Sequence, residues 1–256
     1  MPTISLAIQK GGSGKTTTAV NLPAALQQMG HSVLLIDLDP QANLTQALGI
    51  LDEVEPSIYD LFQQEASGKR VDLTSILTER SGLPLIPASL ELASAEMELV
   101  SIYGREQLLS RMLRPFRKKY DFIFIDCPPA LGMLTVNALV ASDYVLMPLQ
   151  AEFLPLKGVK SFLRHFDGIK KTLNKNLKIL GFVLTKYDQR KVMNRNVLDQ
   201  LIEEHGDKVF DTRIRTNIAL AAAQEAGVDI FNYSRTSNGA LDYMELAHEL
   251  IAKMRR

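Results

Sequence analysis

The sequence predicts a doubly wound α/β fold, a single mostly parallel sheet with helices on both faces. Three observations predict it. Short, continuously apolar runs recur along the chain, amphipathic stretches of helical length separate them, and several runs end at a glycine-rich loop or an aspartate. A strand covered on both faces reads as unbroken hydrophobicity, whereas a half-exposed strand alternates. In open sheets of this kind the ligand lies beyond the carboxyl ends of the strands, where those loops and aspartates fall.

The elements follow in order. Residues 3–8 form a first apolar strand that runs into a glycine-rich loop, and a helix is expected over 15–29. Further strands are expected at 33–36, 83–86, 122–125, 144–147 and 179–184. Helices are expected at 89–103, 105–114, 131–141, 156–173, 191–205, 217–226 and 238–254, and the stretch from about 40 to 56 has the weakest pattern. No linker composition, internal repeat or low-complexity segment interrupts the chain, so we expect one domain over 1–256.

Composition narrows the class. With 46% hydrophobic residues in a chain of 256, a large core can be buried. The 29 basic and 29 acidic residues cancel, so net charge names no polyanionic partner. No run of about 18 apolar residues is present and the amino terminus enters a strand at once, so neither a membrane span nor a secretory signal is expected. A cytoplasmic protein is the expectation. The single cysteine, Cys127, has no second cysteine for a disulfide or a metal pair and reads as a small buried residue.

The loop Gln9-Lys10-Gly11-Gly12-Ser13-Gly14-Lys15-Thr16-Thr17 carries the chemistry. A phosphate loop uses glycines to bring backbone N–H groups to the phosphates, a lysine for the β- and γ-phosphate charge, and a hydroxyl for Mg²⁺. We assign Gly11, Gly12, Ser13, Gly14 and Thr17 to the nucleotide, Lys15 to its phosphates and Thr16 to the metal. The first glycine of the usual pattern is Gln9, and Lys10 is a second lysine that the usual pattern lacks. Asp37 ends the second strand, Asp39 follows two residues later, and Asp126 ends the strand at 122–125. Carboxylates at such positions hold Mg²⁺, often through water, so Asp37 and Asp126 join Thr16 as metal candidates. Asp39 is a candidate to orient or deprotonate the attacking water, with a turn-forming role as the alternative.

These blocks resemble the ParA family of partition ATPases, within the deviant Walker-A group of P-loop proteins. The resemblance rests on residues 9–18, on Leu34-Leu35-Ile36-Asp37-Leu38-Asp39-Pro40-Gln41, on Asp126-Cys127-Pro128-Pro129 and on Asn217-Ile218-Ala219-Leu220, and so runs through nearly the whole chain. It implies ATP and Mg²⁺ as ligands and slow, partner-stimulated ATP hydrolysis, with Lys10, Lys15 and Asp39 as the catalytic set. It further implies a homodimer formed on ATP binding, in which Lys10 reaches the partner's phosphates as an arginine finger would. Non-specific DNA, an adaptor protein and a nucleoid-associated location complete the implied cycle, which positions a plasmid, a chromosome or other cargo. With only Met1 and Pro2 ahead of the first strand, no operator-binding extension is expected.

Two departures stand out. Many relatives have an arginine where this chain has Ala219, so the DNA face needs other cations. The candidates are Lys186, Arg190, Lys191, Arg195, Arg213 and Arg215, within or just beyond a stretch, 157–195, rich in lysine and arginine; a solvated basic face is the alternative reading. Thr185-Lys186-Tyr187-Asp188 also resembles the guanine-reading element of GTPases, which adds Lys186 and Asp188, with Arg215, to the nucleotide candidates and GTP as the minority base. A MinD-like membrane-cycling ATPase and a P-loop metabolic enzyme are the competing functions; the apolar residues of 241–254 read more simply as a core-packing helix than as a lipid-binding one.

Overall fold

Strands with no polar face need a layer on each side, and the chain supplies both. The computed structural model describes residues 2–52, 54–69, 71–151 and 155–255. In chain order the elements are β1 (Thr3–Leu6), α1 (Lys15–Gln28), β2 (Val33–Asp37), α2 (Asn43–Ala47), α3 (Ile58–Ala66), β3 (Thr78–Arg80), β4 (Leu83–Ile86), α4 (Leu92–Glu98) and α5 (Leu108–Leu113). They continue with β5 (Phe122–Asp126), α6 (Met133–Ala141), β6 (Tyr144–Gln150), α7 (Pro155–Thr172), β7 (Lys178–Thr185), α8 (Val192–His205), α9 (Ile218–Glu225), α10 (Ile230–Tyr233) and α11 (Asn238–Met254).

The seven strands form one sheet in the order β3-β4-β2-β5-β1-β6-β7, parallel throughout except for the β3–β4 pair. Alternate residues of each strand serve opposite layers. Leu34, Ile36, Ile123, Ile125, Val145 and Met147 pack with residues of α3 to α8, whereas Val33, Leu35, Phe122, Phe124 and Leu146 pack with α1, α2 and α9 to α11. That division explains the unbroken apolar runs, since both pleat faces are buried. The register of the central strands sets Asp37 opposite Asp126 and Leu6 opposite Asp126. Two acidic strand ends therefore lie side by side, next to the strand that leads into the glycine-rich loop.

The expected strands are all present, and the differences lie in short elements. The weak stretch between 40 and 56 contains α2, and α3 follows it unanticipated. α3 starts at a capping box in which Ser57 Oγ accepts from Tyr59 N and Asp60 Oδ2 accepts from Ser57 N at 2.7 Å. The helix expected over 89–103 is shorter: α4 passes into a 3₁₀ turn at Leu99–Ser101, and Gly104 then adopts a left-handed conformation. The helix expected over 105–114 likewise opens as a 3₁₀ turn, Arg105–Gln107. β3 is an antiparallel edge strand of three residues turned by Ser81 and Gly82, both at positive φ, and is too short to leave a pattern.

α11 packs on α1 through Tyr243, Leu246, Ala247 and Leu250, so its apolar face is spent on the core. Among the described residues no helix is long and apolar enough to cross a membrane. At the other end of that layer two glycines meet. Gly49, after α2, and Gly227, after α9, both have positive φ, and a Cβ on Gly227 would lie 2.6 Å from Gly49 Cα. The contact fixes the spacing between α2 and α9.

Gly227→Ala is expected to lose about 2–3 kcal/mol in urea denaturation, the sum of a left-handed alanine and an overpacked backbone contact. Gly68→Ala, also at positive φ but with open space around it, should lose only about 1 kcal/mol. Equal losses would mean that the α2–α9 contact contributes nothing.

Candidate nucleotide site

The glycine-rich loop joins β1 to α1 and borders a cleft of about 730 Å³. Gly12 and Gly14 are left-handed at φ 68° and 90°, which turns successive N–H groups inward as an anion-binding nest. Gly14 is also pressed from behind: a Cβ there would sit 3.2 Å from the Thr185 side chain, and Thr185 Oγ1 donates to Ser13 O at 2.8 Å. Thr185, at the end of β7, thus braces the loop. Around Gly11 and Gly12 there is open space on the cleft side. Lys15 is buried and its Nζ donates to Lys10 O at 3.2 Å, which holds the amine over the loop. Lys10 itself is not among the residues lining its own chain's cleft.

Thr16 and Asp126 meet directly, Thr16 Oγ1 donating to Asp126 Oδ2 at 2.7 Å. The second oxygen, Asp126 Oδ1, is buried and has no hydrogen-bond partner. An orphaned carboxylate oxygen beside a hydroxyl at a phosphate loop is the donor set that Mg²⁺ takes, because Mg²⁺ keeps several waters and uses few protein oxygens. No group of three or more His, Cys, Asp or Glu side chains converges on a metal position among the described residues. Burial first, and then the Asp37 charge, push the Asp126 carboxyl up to about 8.

Asp37 is fully buried and holds chain rather than open space. Its Oδ2 accepts from Thr45 N at 2.8 Å and Thr45 Oγ1 at 2.7 Å, and its Oδ1 accepts from Asp39 N at 3.1 Å. It therefore anchors α2 and the 37–39 turn, and burial pushes its carboxyl up to about 6. Asp39 makes the turn contact its sequence context allowed, Oδ1 accepting from Gln41 N at 3.0 Å, and the residue also lines the cleft.

Other parts of the cleft wall are built by segments remote in sequence from the loop. Lys186, left-handed at φ 49°, and Arg215 both line it, together with Asn217, Leu220 and Gln224 on and before α9. Asp188 does not. Its Oδ1 accepts from Arg190 N and Nε and its Oδ2 from Arg190 Nη2, an ion pair that lowers the Asp188 carboxyl to about 2. The expected base-reading carboxylate is thus committed to Arg190 outside the cleft. The candidate DNA cations separate likewise. Lys186 and Arg215 belong to the cleft; Arg190, Lys191 and Arg195 gather at the start of α8, Arg195 donating to Gln189 O; Arg213 stands over the Tyr187 ring at 5.6 Å. The Lys157 side chain lies outside those described.

A family model described as an AAA domain matches residues 1–179. The chain is 42% identical over 250 residues to the sporulation initiation inhibitor protein Soj of Bacillus subtilis, covering 97% of this chain and 98% of that protein. To the chromosome partitioning protein ParA of Caulobacter vibrioides it is 39% identical over 255 residues, covering 98% and 94%. The chain belongs to the ParA family of P-loop ATPases. Among solved structures, cobyrinic acid a,c-diamide synthase from Mycobacterium smegmatis, bound to an ATP analogue and magnesium, is similar with a TM-score of 0.88 at 36% identity, covering 100% of this chain and 96% of that one. This ParA-family protein is an ATPase, with ATP and Mg²⁺ as its ligands.

Its two strand-end aspartates give a signed pH dependence. In the unfolded chain Asp126 ionises near 3.8, and in the folded protein near 8. The folded state therefore binds more protons between those values, and stability falls as pH rises through them. The melting temperature of the nucleotide-free, magnesium-free ATPase should drop between pH 6 and 8.5, and Asp126→Asn should drop less. An identical fall in the variant would remove Asp126 as its source.

Proposed function

We propose that this ATPase is a nucleotide-gated partition switch: with ATP it dimerises and holds DNA without sequence preference, and an adaptor protein triggers hydrolysis and release. The observation that carries the reading is the second lysine. Lys10 opens the loop ahead of its glycines and, unlike Lys15, is not among the residues lining the cleft, while Leu51 and Ile218 are left 81% and 86% exposed. Leu51 lines the cleft, Ile218 opens the helix that walls it, and apolar side chains that exposed beside a charged site suit a surface covered by a second copy.

The chemistry follows from the residues. Lys15 leaves Lys10 O for the β- and γ-phosphates, and the loop N–H groups take the remaining oxygens. Thr16 and Asp126 hold Mg²⁺, which on binding offsets phosphate charge. Asp37 acts on the metal site through its register neighbour Asp126 and by fixing the turn that presents Asp39. Asp39 orients the attacking water. Lys10 of the partner subunit supplies positive charge to the transferred phosphoryl group, so turnover depends on dimerisation. ATP is preferred over GTP because Asp188 is occupied by Arg190. For DNA, the group Arg190, Lys191 and Arg195 is the best-placed candidate, and residues 1–256 act as one unit in this cycle.

Lys10→Ala is expected to bind ATP with nearly unchanged affinity while losing adaptor-stimulated hydrolysis by at least about 10²-fold. Unchanged turnover would sink the trans role. Gel filtration and DNA binding, run with ATP, ADP, GTP or no nucleotide at several salt concentrations, test the rest. A dimer and salt-sensitive DNA binding are expected with ATP alone, and Lys191→Ala with Arg195→Ala should reduce the log–log salt slope by about 2. ATP-dependent pelleting with liposomes, or turnover that needs only a small-molecule acceptor, would instead favour the membrane-cycling or metabolic reading.

A further inference from the structure

We propose that Arg215 is the platform on which the nucleotide base stacks, and that Asp242 is the positioning residue that sets it. The inference rests on the ATP-site reading and deepens it by saying what recognises the base. Arg215 lines the cleft on a segment separate from the phosphate loop, with Leu220 and Ala221 of α9 also among the lining residues. Asp242, on α11 and only 3% exposed, grips it at three points. Asp242 Oδ2 accepts from Arg215 N at 2.8 Å, and Oδ1 accepts from Nε at 2.9 Å and from Nη2 at 2.5 Å. The Nε–Nη2 edge is thus engaged, the guanidinium plane is set and its charge is paired within the chain. Besides Nη1, what this leaves to a ligand is a flat π-face whose charge is already paired, which suits a planar base better than a phosphate oxygen.

The next residue completes the device. Tyr243 is fully buried, lines the same cleft, and its hydroxyl lies 3.1 Å from Thr18 Oγ1 on α1, the helix that the phosphate loop opens. Adjacent residues of α11 therefore bind the base wall on one side and the phosphate helix on the other. Their spacing fixes the distance between the two halves of a nucleotide site. A larger ring overlaps more of a guanidinium face, so the platform favours purines over pyrimidines.

The test separates base from phosphates by using two probes on each variant, Mg·ATP and Mg·inorganic triphosphate. Asp242→Asn and Arg215→Ala should each weaken ATP about tenfold, a loss of about 1.4 kcal/mol, and leave triphosphate affinity unchanged. The loss should appear in KM and not in kcat at saturating ATP, and the preference for ATP over CTP should shrink in parallel. Arg215→Lys keeps the charge without the plane, so it should resemble Arg215→Ala. If lysine restores ATP binding, or if triphosphate weakens as much as ATP in Arg215→Ala, Arg215 is a phosphate contact and the platform is wrong. If neither probe weakens in that variant, Arg215 does not touch the nucleotide, while unimpaired triphosphate binding keeps the site itself in place. Should Asp242→Asn fail to fold, the two Arg215 variants decide the matter.

Discussion

The parallel register of β2, β5 and β1 is the constraint on which the site depends. Because Asp37, Asp126 and Leu6 are neighbours across three strands, the two acidic strand ends and the phosphate loop arrive together without any long-range adjustment by side chains. A slip of one residue would turn Asp126 to the opposite face, away from Thr16, and would expose the Val33/Leu35 and Phe122/Phe124 rows to the wrong layer. Hydrophobic burial on both faces therefore fixes a polar geometry. The cost is visible in the raised carboxyl of Asp126, a buried acid held beside a second one until a cation relieves it.

How much of this was legible in the sequence depends on how far a feature reaches along the chain. The long parallel strands and α1, α6, α8 and α11 could be read because their patterns are local and strong. α2 could not, because five residues without a periodic face form a helix there only once Asp37 takes Thr45 N and Oγ1. The loop lysine, the metal hydroxyl and the strand-end aspartates were legible as motifs. The brace from Thr185, the anchoring task of Asp37 and the grip of Asp242 on Arg215 were not, since each joins residues separated by eight to 172 positions. The four-residue resemblance to a guanine-reading element shows the opposite hazard: its carboxylate is present in sequence but is taken up by a neighbour two residues away.

The same layer also decides what the carboxyl-terminal helix can do. α11 spends its apolar face on α1, while its Asp242 holds Arg215 and its Tyr243 meets Thr18, so the helix ties the Arg215 segment to α1. Two of the exposed large apolar side chains, Leu51 and Ile218, lie where the segments after α2 and at the start of α9 border the cleft. The candidate nucleotide and metal residues and these apolar side chains thus share the side of the sheet at the carboxyl ends of its strands, the arrangement that the proposed switch requires.

The central claim is that one chain's Lys10 completes the other chain's site, and mixing two inactive variants tests it most directly. Lys10→Ala retains Asp39 and its own phosphate loop; Asp39→Ala retains Lys10. If the lysine acts in trans, the mixed dimer contains one complete site, and an equimolar mixture should recover about a quarter of wild-type adaptor-stimulated turnover, since half the dimers are mixed and each has one working site of two. A mixture as inactive as its components, while gel filtration finds ATP-dependent mixed dimers, would contradict it.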